Sequence, residues 1–184
     1  MDKFNMVVLA GLCAIATNAF AADAPSEATK AVDATKPATN AQRTQVPAAR
    51  GPSLELAIEA ARVAIETCAA DGGQKIGVSV VDSAGVLKVL LAADGTSPRG
   101  VTSGNSKAVT ALTYKNNTSK LTEQIKTDKV LGDTIAANTA LNARPGGVLI
   151  RVGDEIIGAI GVGGGRTDEP CALVGLQKVQ SRLQ

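Results

Sequence analysis

The stretch Pro145-Gly-Gly-Val-Leu-Ile-Arg-Val-Gly-Asp-Glu-Ile-Ile-Gly-Ala-Ile-Gly-Val-Gly-Gly-Gly-Arg-Thr-Asp-Glu-Pro-Cys-Ala-Leu-Val-Gly-Leu176 predicts a hairpin, a glycine loop and a helix. Its two β-branched runs, 148–152 and 155–162, are joined by Gly153-Asp154, which tolerates the positive φ of a tight turn. Glycines 163–165 end the second run because they have no side chains to pack. Thr167 or Asp168 then caps the helix, whose acidic first turn suits the positive helix N-terminus.

A helix and a second hairpin precede this stretch. Apolar residues at i, i+3, i+4 and i+7 predict a helix over 53–70, with Ser53 as its N-cap. Strands are predicted over 76–81 and 86–92, around the turn-forming residues 82–85.

The middle segment, 101–142, is polar with scattered apolar positions. It predicts two or three short helices, with breaks at Asn116-Asn117 and at Gly132. Two hairpins separated by helices predict an α+β fold, in which helices pack on an antiparallel sheet.

Composition divides the chain into three parts. Residues 1–21 have the features of a signal peptide: Lys3, an apolar core and the small-x-small pattern Ala19-Phe20-Ala21. Residues 22–51, rich in Ala, Thr and Pro, predict a disordered linker. Residues 52–184 have the size of one domain. We therefore expect a periplasmic or secreted protein with no transmembrane segment.

Composition also limits the classes of molecule that the protein is expected to bind. The chain carries a net charge of +2, has no Trp or His, and has Tyr114 as its only aromatic residue after position 21. Without basic blocks or stacking rings we expect no nucleic-acid partner. A core of small aliphatic residues predicts further burial in a homo-oligomer. The glycines at 161–165 lack the dinucleotide-binding spacing because Arg166 interrupts it, so close backbone packing is the favoured interpretation.

The chain resembles the GlcG/HbpS-like haem-binding family, whose domain is a profilin-like α+β fold. The matching motifs are Val78-Ser-Val-Val-Asp82 with Gly85, Ala93-Asp94-Gly95, Ser106-Lys107-Ala108-Val109-Thr110-Ala111, Pro145-Gly-Gly-Val-Leu-Ile150, Ile157-Gly-Ala-Ile-Gly-Val-Gly163, and Asp168-Glu-Pro-Cys-Ala172 with Gly175. The resemblance implies binding of haem or a related tetrapyrrole, an accessory or sensor-linked role, and oligomers. Relatives of the secreted type often carry His after a Gly-Pro at this place, where this chain has Ser97-Pro98-Arg99.

The chain contains few residues that could be an axial ligand for haem iron. Iron is held by His, Met, Cys thiolate or Tyr. The chain has no His, and its two Met lie in the predicted signal peptide. Tyr114 is therefore the candidate axial ligand, and Cys68 and Cys171 complete the set.

Four residues form the candidate ligand site. Lys107, Thr110 and Tyr114 share one face if their segment is helical, and Arg99 lies just before it. Two cations with a hydroxyl and a phenol suit the carboxylates of haem propionates or of a small organic acid. The alternative is a solvated helix face with a half-buried tyrosine.

Cys68 and Cys171 are the only cysteines after position 21. An even number in an exported chain favours a disulfide between them. Buried thiols, or a reactive thiolate at Cys171 near a helix N-terminus, are the alternatives.

These features favour a non-enzymatic protein of the cell envelope that binds haem, another tetrapyrrole or a small anionic ligand. One alternative is an oligomeric interaction or scaffold protein that has lost haem ligation. The other is an accessory enzyme of small hydroxy-acid metabolism, suggested by family members encoded beside such pathways. Without His, no nucleophile–base–orienter set is apparent from the spacing.

Overall fold

The computed structural model describes residues 48–184. Its elements are α1 (Leu54–Ala70), β1 (Gly77–Asp82), β2 (Leu87–Ala92), α2 (Pro98–Tyr114), α3 (Thr118–Gln124), α4 (Lys129–Ala137), β3 (Gly147–Val152), β4 (Glu155–Gly163), α5 (Asp168–Val179) and a 3-10 turn (Gln180–Arg182). The strands form one antiparallel sheet in the order β2-β1-β4-β3. The predicted α+β fold of two hairpins with packed helices is confirmed.

The N-terminal expectations lie largely outside the described residues. The predicted signal peptide and most of the predicted linker fall before residue 48. At the linker's end, Arg50 already contacts the β1–β2 turn: its backbone N–H donates to the Ser83 hydroxyl, 2.9 Å away, and its carbonyl accepts from the Ser83 N–H. Among residues 48–184, no helix is long and apolar enough to cross a membrane.

Helices cover both faces of the sheet because successive strand residues point to opposite sides. Val78 and Val80 on β1 pack in the larger core with α1 and α5. Val81, the next residue along, packs in a second core with α2. The first turn of α2 lies against the loop between β4 and α5, where Gly100 closely approaches Gly164.

Glycines bring α2 unusually close to the sheet. A Cβ added at Gly163 of β4 would lie 2.5 Å from the backbone oxygen of Gly100, and one added at Gly104 would lie 2.8 Å from that of Gly77. The neighbouring Gly161 faces the Gly104 backbone in the same way. The glycines of β4 thus allow close backbone packing, as predicted from the sequence. They determine how closely α2 approaches the sheet.

Gly161→Ala is expected to lower the free energy of unfolding by about 1–3 kcal/mol, because the added methyl group has no space and α2 must shift. Urea unfolding followed by circular dichroism measures the change. The control is Gly132→Ala in α4, where the added Cβ would find its nearest atom at 3.5 Å. It should be neutral or stabilise by up to about 1 kcal/mol through helix propensity. Equal stability of Gly161→Ala and the unaltered protein would contradict the packing argument.

Three details of the middle segment differ from the prediction, and the first is that α2, with 17 residues, is not a short helix. The helix α2 begins at Pro98 rather than near residue 101, because Ser97 caps it: its hydroxyl accepts from the Gly100 N–H, 3.1 Å away. Gly132 lies inside α4 and does not break it. The predicted break at Asn116-Asn117 is correct, and it follows Lys115, which has a left-handed φ of 51°.

The disulfide between Cys68 and Cys171 is present, with Cα atoms 5.7 Å apart. It joins the last turn of α1 to the first turn of α5. Neither sulfur is then a thiolate, so the alternatives of buried thiols, a nucleophile at Cys171 or a cysteine ligand for iron no longer hold.

Candidate functional site

An open cavity of about 580 Å³ lies between the first half of α2, the loop that leads into α5 and the segment 144–145. Two helices therefore begin at its edge. Nine of its fourteen lining residues have polar or charged side chains, and the full set is Ser97, Arg99, Gly100, Ser103, Lys107, Arg144, Pro145, Gly164, Gly165, Arg166, Thr167, Asp168, Glu169 and Pro170.

A buried ion pair forms the floor of the cavity. Lys107 Nζ on α2 donates to Asp168 Oδ2 at the start of α5 over 2.5 Å, and the two side chains are only 4% and 8% exposed. Asp168 Oδ1 also accepts from the Gly165 N–H, 2.8 Å away. The pair connects two walls of the cavity. For Lys107, the alternative of a solvated helix face is wrong.

Three arginines also line this cavity. Arg99, Arg144 and Arg166 line the cavity and are exposed. The acidic residues of the lining are already engaged: Asp168 by Lys107, and Glu169 by the hydroxyl of Ser119 and the N–H of Gly146. The lining has four cationic side chains and two acidic ones, so positive charge remains in excess after Lys107 and Asp168 have paired. Guanidinium groups bind carboxylates and phosphates through paired, charge-assisted hydrogen bonds, so this cavity suits an anion.

The backbone of Arg166 is held by a buried amide. Gln74 Oε1 accepts from the N–H of Arg166 at 2.5 Å and from that of Thr167 at 3.3 Å. Gln74 Nε2 donates to the Thr167 hydroxyl and to Asp71. These bonds connect the loop before α5 to the end of α1. They also fix the backbone position of Arg166.

Thr110 supports the site from beneath. Its hydroxyl donates to the Ser106 carbonyl and accepts from the Asn142 N–H, both at 2.7 Å. Asn142 Oδ1 in turn accepts from the Arg144 N–H at 3.1 Å. Thr110 is fully buried and does not line the cavity. Through Asn142, Thr110 therefore holds the loop that carries Arg144.

Tyr114 lies away from the cavity. It is half-buried and packs against the cluster of Leu121, Ile135 and Ala143. The structure thus brings together two of the four predicted site residues, Arg99 and Lys107, and leaves Thr110 and Tyr114 outside the lining. The ligand roles of the four residues stay predictions.

Arg144 and Arg166 were missed from the sequence. Both lie in loops, where helical periodicity carries no information. Each stands beside a motif that was recognised, Arg144 before Pro145 and Arg166 after the three glycines. An arginine between a glycine loop and a helix start is the signal that identifies Arg166.

Comparison with known proteins identifies the domain. Residues 53–177 match the family model described as "Haem degrading protein HbpS-like". The chain belongs to the HbpS-like family. No curated protein matches it. The crystal structure of HbpS superposes with a TM-score of 0.66 at 28% identity, covering 77% of this chain and 99% of that one. A double mutant of HbpS from Streptomyces reticuli gives the same score and identity, covering 77% and 96%.

Another solved structure, at lower identity, shares the fold of this chain. It is PduOC, solved as a haem complex, with 22% identity, a TM-score of 0.62, and coverage of 69% of this chain and 94% of that one.

The HbpS-like family implies haem, and the cavity fits one part of that group only. The three arginines suit its propionate carboxylates. The lining supplies none of the side chains that ligate haem iron, and it has no aromatic wall for the macrocycle. Within residues 48–184, no group of three His, Cys, Asp or Glu side chains is placed to hold a metal. The cavity therefore suits the acid groups of a ligand and not an iron centre.

Proposed function

We propose that this HbpS-like chain is a binding protein for an anionic small molecule, and that a tetrapyrrole carboxylate is the first candidate. The observation that carries the proposal is that Arg99, Arg144 and Arg166 line the same cavity as the buried ion pair of Lys107 and Asp168. The family description and the haem complex of PduOC support the tetrapyrrole. The arginines bind its acid groups, and the binding needs no bond to iron.

We propose binding rather than catalysis because the buried titratable groups of the cavity hold each other. Lys107 and Asp168 form one short, buried ion pair, so the charged group of each is already bound and is not free to contact a substrate. The family description names haem degradation, so a degradation assay with haem and a reductant is the direct check. We also propose export to the cell envelope and a homo-oligomer, on the leader-like N-terminus and the small-residue core.

Arg166→Gln is expected to weaken binding of metal-free protoporphyrin about 10-fold or more, because one charge-assisted hydrogen bond to a carboxylate is lost. Fluorescence titration measures the affinity. The matched control is Arg62→Gln, an exposed arginine of α1 outside the cavity lining, which should leave the affinity unchanged. The dimethyl ester, which has no carboxylate, should not bind. Ester and acid binding alike, or equal effects of the two variants, would reject the proposal.

A further inference from the structure

A second, smaller groove of about 240 Å³ adjoins the cavity. Arg99, Ser103 and Arg144 line both depressions and therefore stand between them. Three of the five other residues that line the groove carry hydroxyl groups, and the full set is Thr102, Ser106, Thr139, Leu141 and Asn142.

The charge of the groove differs from that of the cavity. Two arginines line it and no acidic residue does, whereas the cavity contains Asp168 and Glu169. A small site with two guanidinium groups and several hydroxyls favours a negatively charged group with oxygen acceptors.

The wall between the depressions is held in place. Asn142 Nδ2 donates to Ser103 Oγ at 3.0 Å, while its Oδ1 accepts from the Arg144 N–H. Because Ser103 Oγ acts as acceptor in that bond, its own O–H remains for a ligand. Arg99 and Ser103 lie four residues apart on α2, so they occupy one helix face.

We infer that the ligand carries two acid groups, one bound in the cavity and one in the groove, with Arg99 and Arg144 between them. This inference rests on the proposed function and specifies its ligand as a dicarboxylic acid. A guanidinium has five N–H donors in a planar fork, so one arginine serves carboxylates on either side. Two sources share this chemistry: a tetrapyrrole with two propionates and a small aliphatic dicarboxylate.

The test compares protoporphyrin with its monomethyl ester in the full chain and in the variant Ser106→Ala/Thr139→Val. Both substituted hydroxyl-bearing residues line the groove and not the cavity. The unaltered chain should prefer the diacid about 10-fold, since a charge-assisted hydrogen-bond set is worth about one decade or more in affinity. In the variant this preference should fall toward the twofold statistical factor of having two acid groups, because two hydroxyl groups of the groove are lost while Arg99 and Arg144 remain. Thr113→Val is the matched control, because Thr113 is exposed on α2 and lines neither depression; it should keep the preference.

Competition separates the two sources of the ligand. Glutarate displacing protoporphyrin, where butyrate does not, supports a small dicarboxylate; failure of both acids together with a strong diacid preference supports the tetrapyrrole. If diacid and monoester bind the unaltered chain alike and both depend on Arg166, the groove inference is overturned and the proposed function stands. If no acid binds, both are overturned.

Discussion

Lys107→Met is expected to lower the free energy of unfolding by about 3–5 kcal/mol, the cost of leaving one partner of a buried ion pair alone. Methionine fills much of the space of the lysine stem, so the loss reports charge rather than volume. Within residues 48–184, the Asp168 carboxylate, 8% exposed, would keep only its bond from the Gly165 N–H. Denaturant unfolding at neutral pH measures the effect.

A double-mutant cycle shows whether the pair acts as a unit. Asp168→Asn leaves the Lys107 ammonium without a counter-charge and should cost a similar amount. The double variant Lys107→Met/Asp168→Asn has no buried charge and should lose much less than the sum of the two single variants. The control is Lys129→Met in α4. Lys129 and Asp133 form an ion pair whose side chains are 88% and 72% exposed, so this substitution should leave the free energy of unfolding unchanged. Additive losses across the cycle would show that Lys107 and Asp168 are not coupled.

Local signals in the sequence were sufficient for much of the fold. The Ser53 hydroxyl accepts from the Leu56 N–H, as an N-cap does, and Gly153 adopts a φ of +56° in the β3–β4 turn. Such features depend on residues a few positions apart, so spacing reveals them. Gly132 was misplaced as a break because a single glycine in a helix costs only about 1 kcal/mol, which packing of α4 overcomes.

The site was less accessible from sequence because its contacts join distant residues. Lys107 reaches Asp168 across 61 positions, and Thr110 reaches Asn142 across 32. A polar helix face and a buried polar network have the same periodicity, so the burial of Lys107 and the supporting position of Thr110 followed only from the packed structure. Arg99 was identified because it precedes a recognised motif. Tyr114 was chosen by elimination among the residue types that ligate haem iron. That chemical argument does not predict where in the fold the side chain lies.

The disulfide also helps to hold the candidate site, because Cys171 lies in the first turn of α5. Cys171 follows Asp168 by three residues, and its N–H donates to the carbonyl of Thr167 in the loop that carries Arg166. Cys68 belongs to the end of α1, where Gln74 holds the same loop. The covalent bond and the Gln74 hydrogen bonds therefore fasten one wall of the cavity to α1.

Replacing both cysteines, Cys68→Ala/Cys171→Ala, is expected to lower the free energy of unfolding by about 4–5 kcal/mol. The bond spans 103 residues, and closing a loop of roughly that length restricts the unfolded chain by about 4.7 kcal/mol in the chain-entropy model. Denaturant unfolding of the oxidised protein against the variant measures the loss. Dithiothreitol should destabilise the unaltered protein by a similar amount and leave the variant unchanged, because only the former has a bond to reduce. If reduction leaves the unaltered protein's midpoint where it was, the disulfide does not stabilise the fold, and α1 and α5 are held by packing alone.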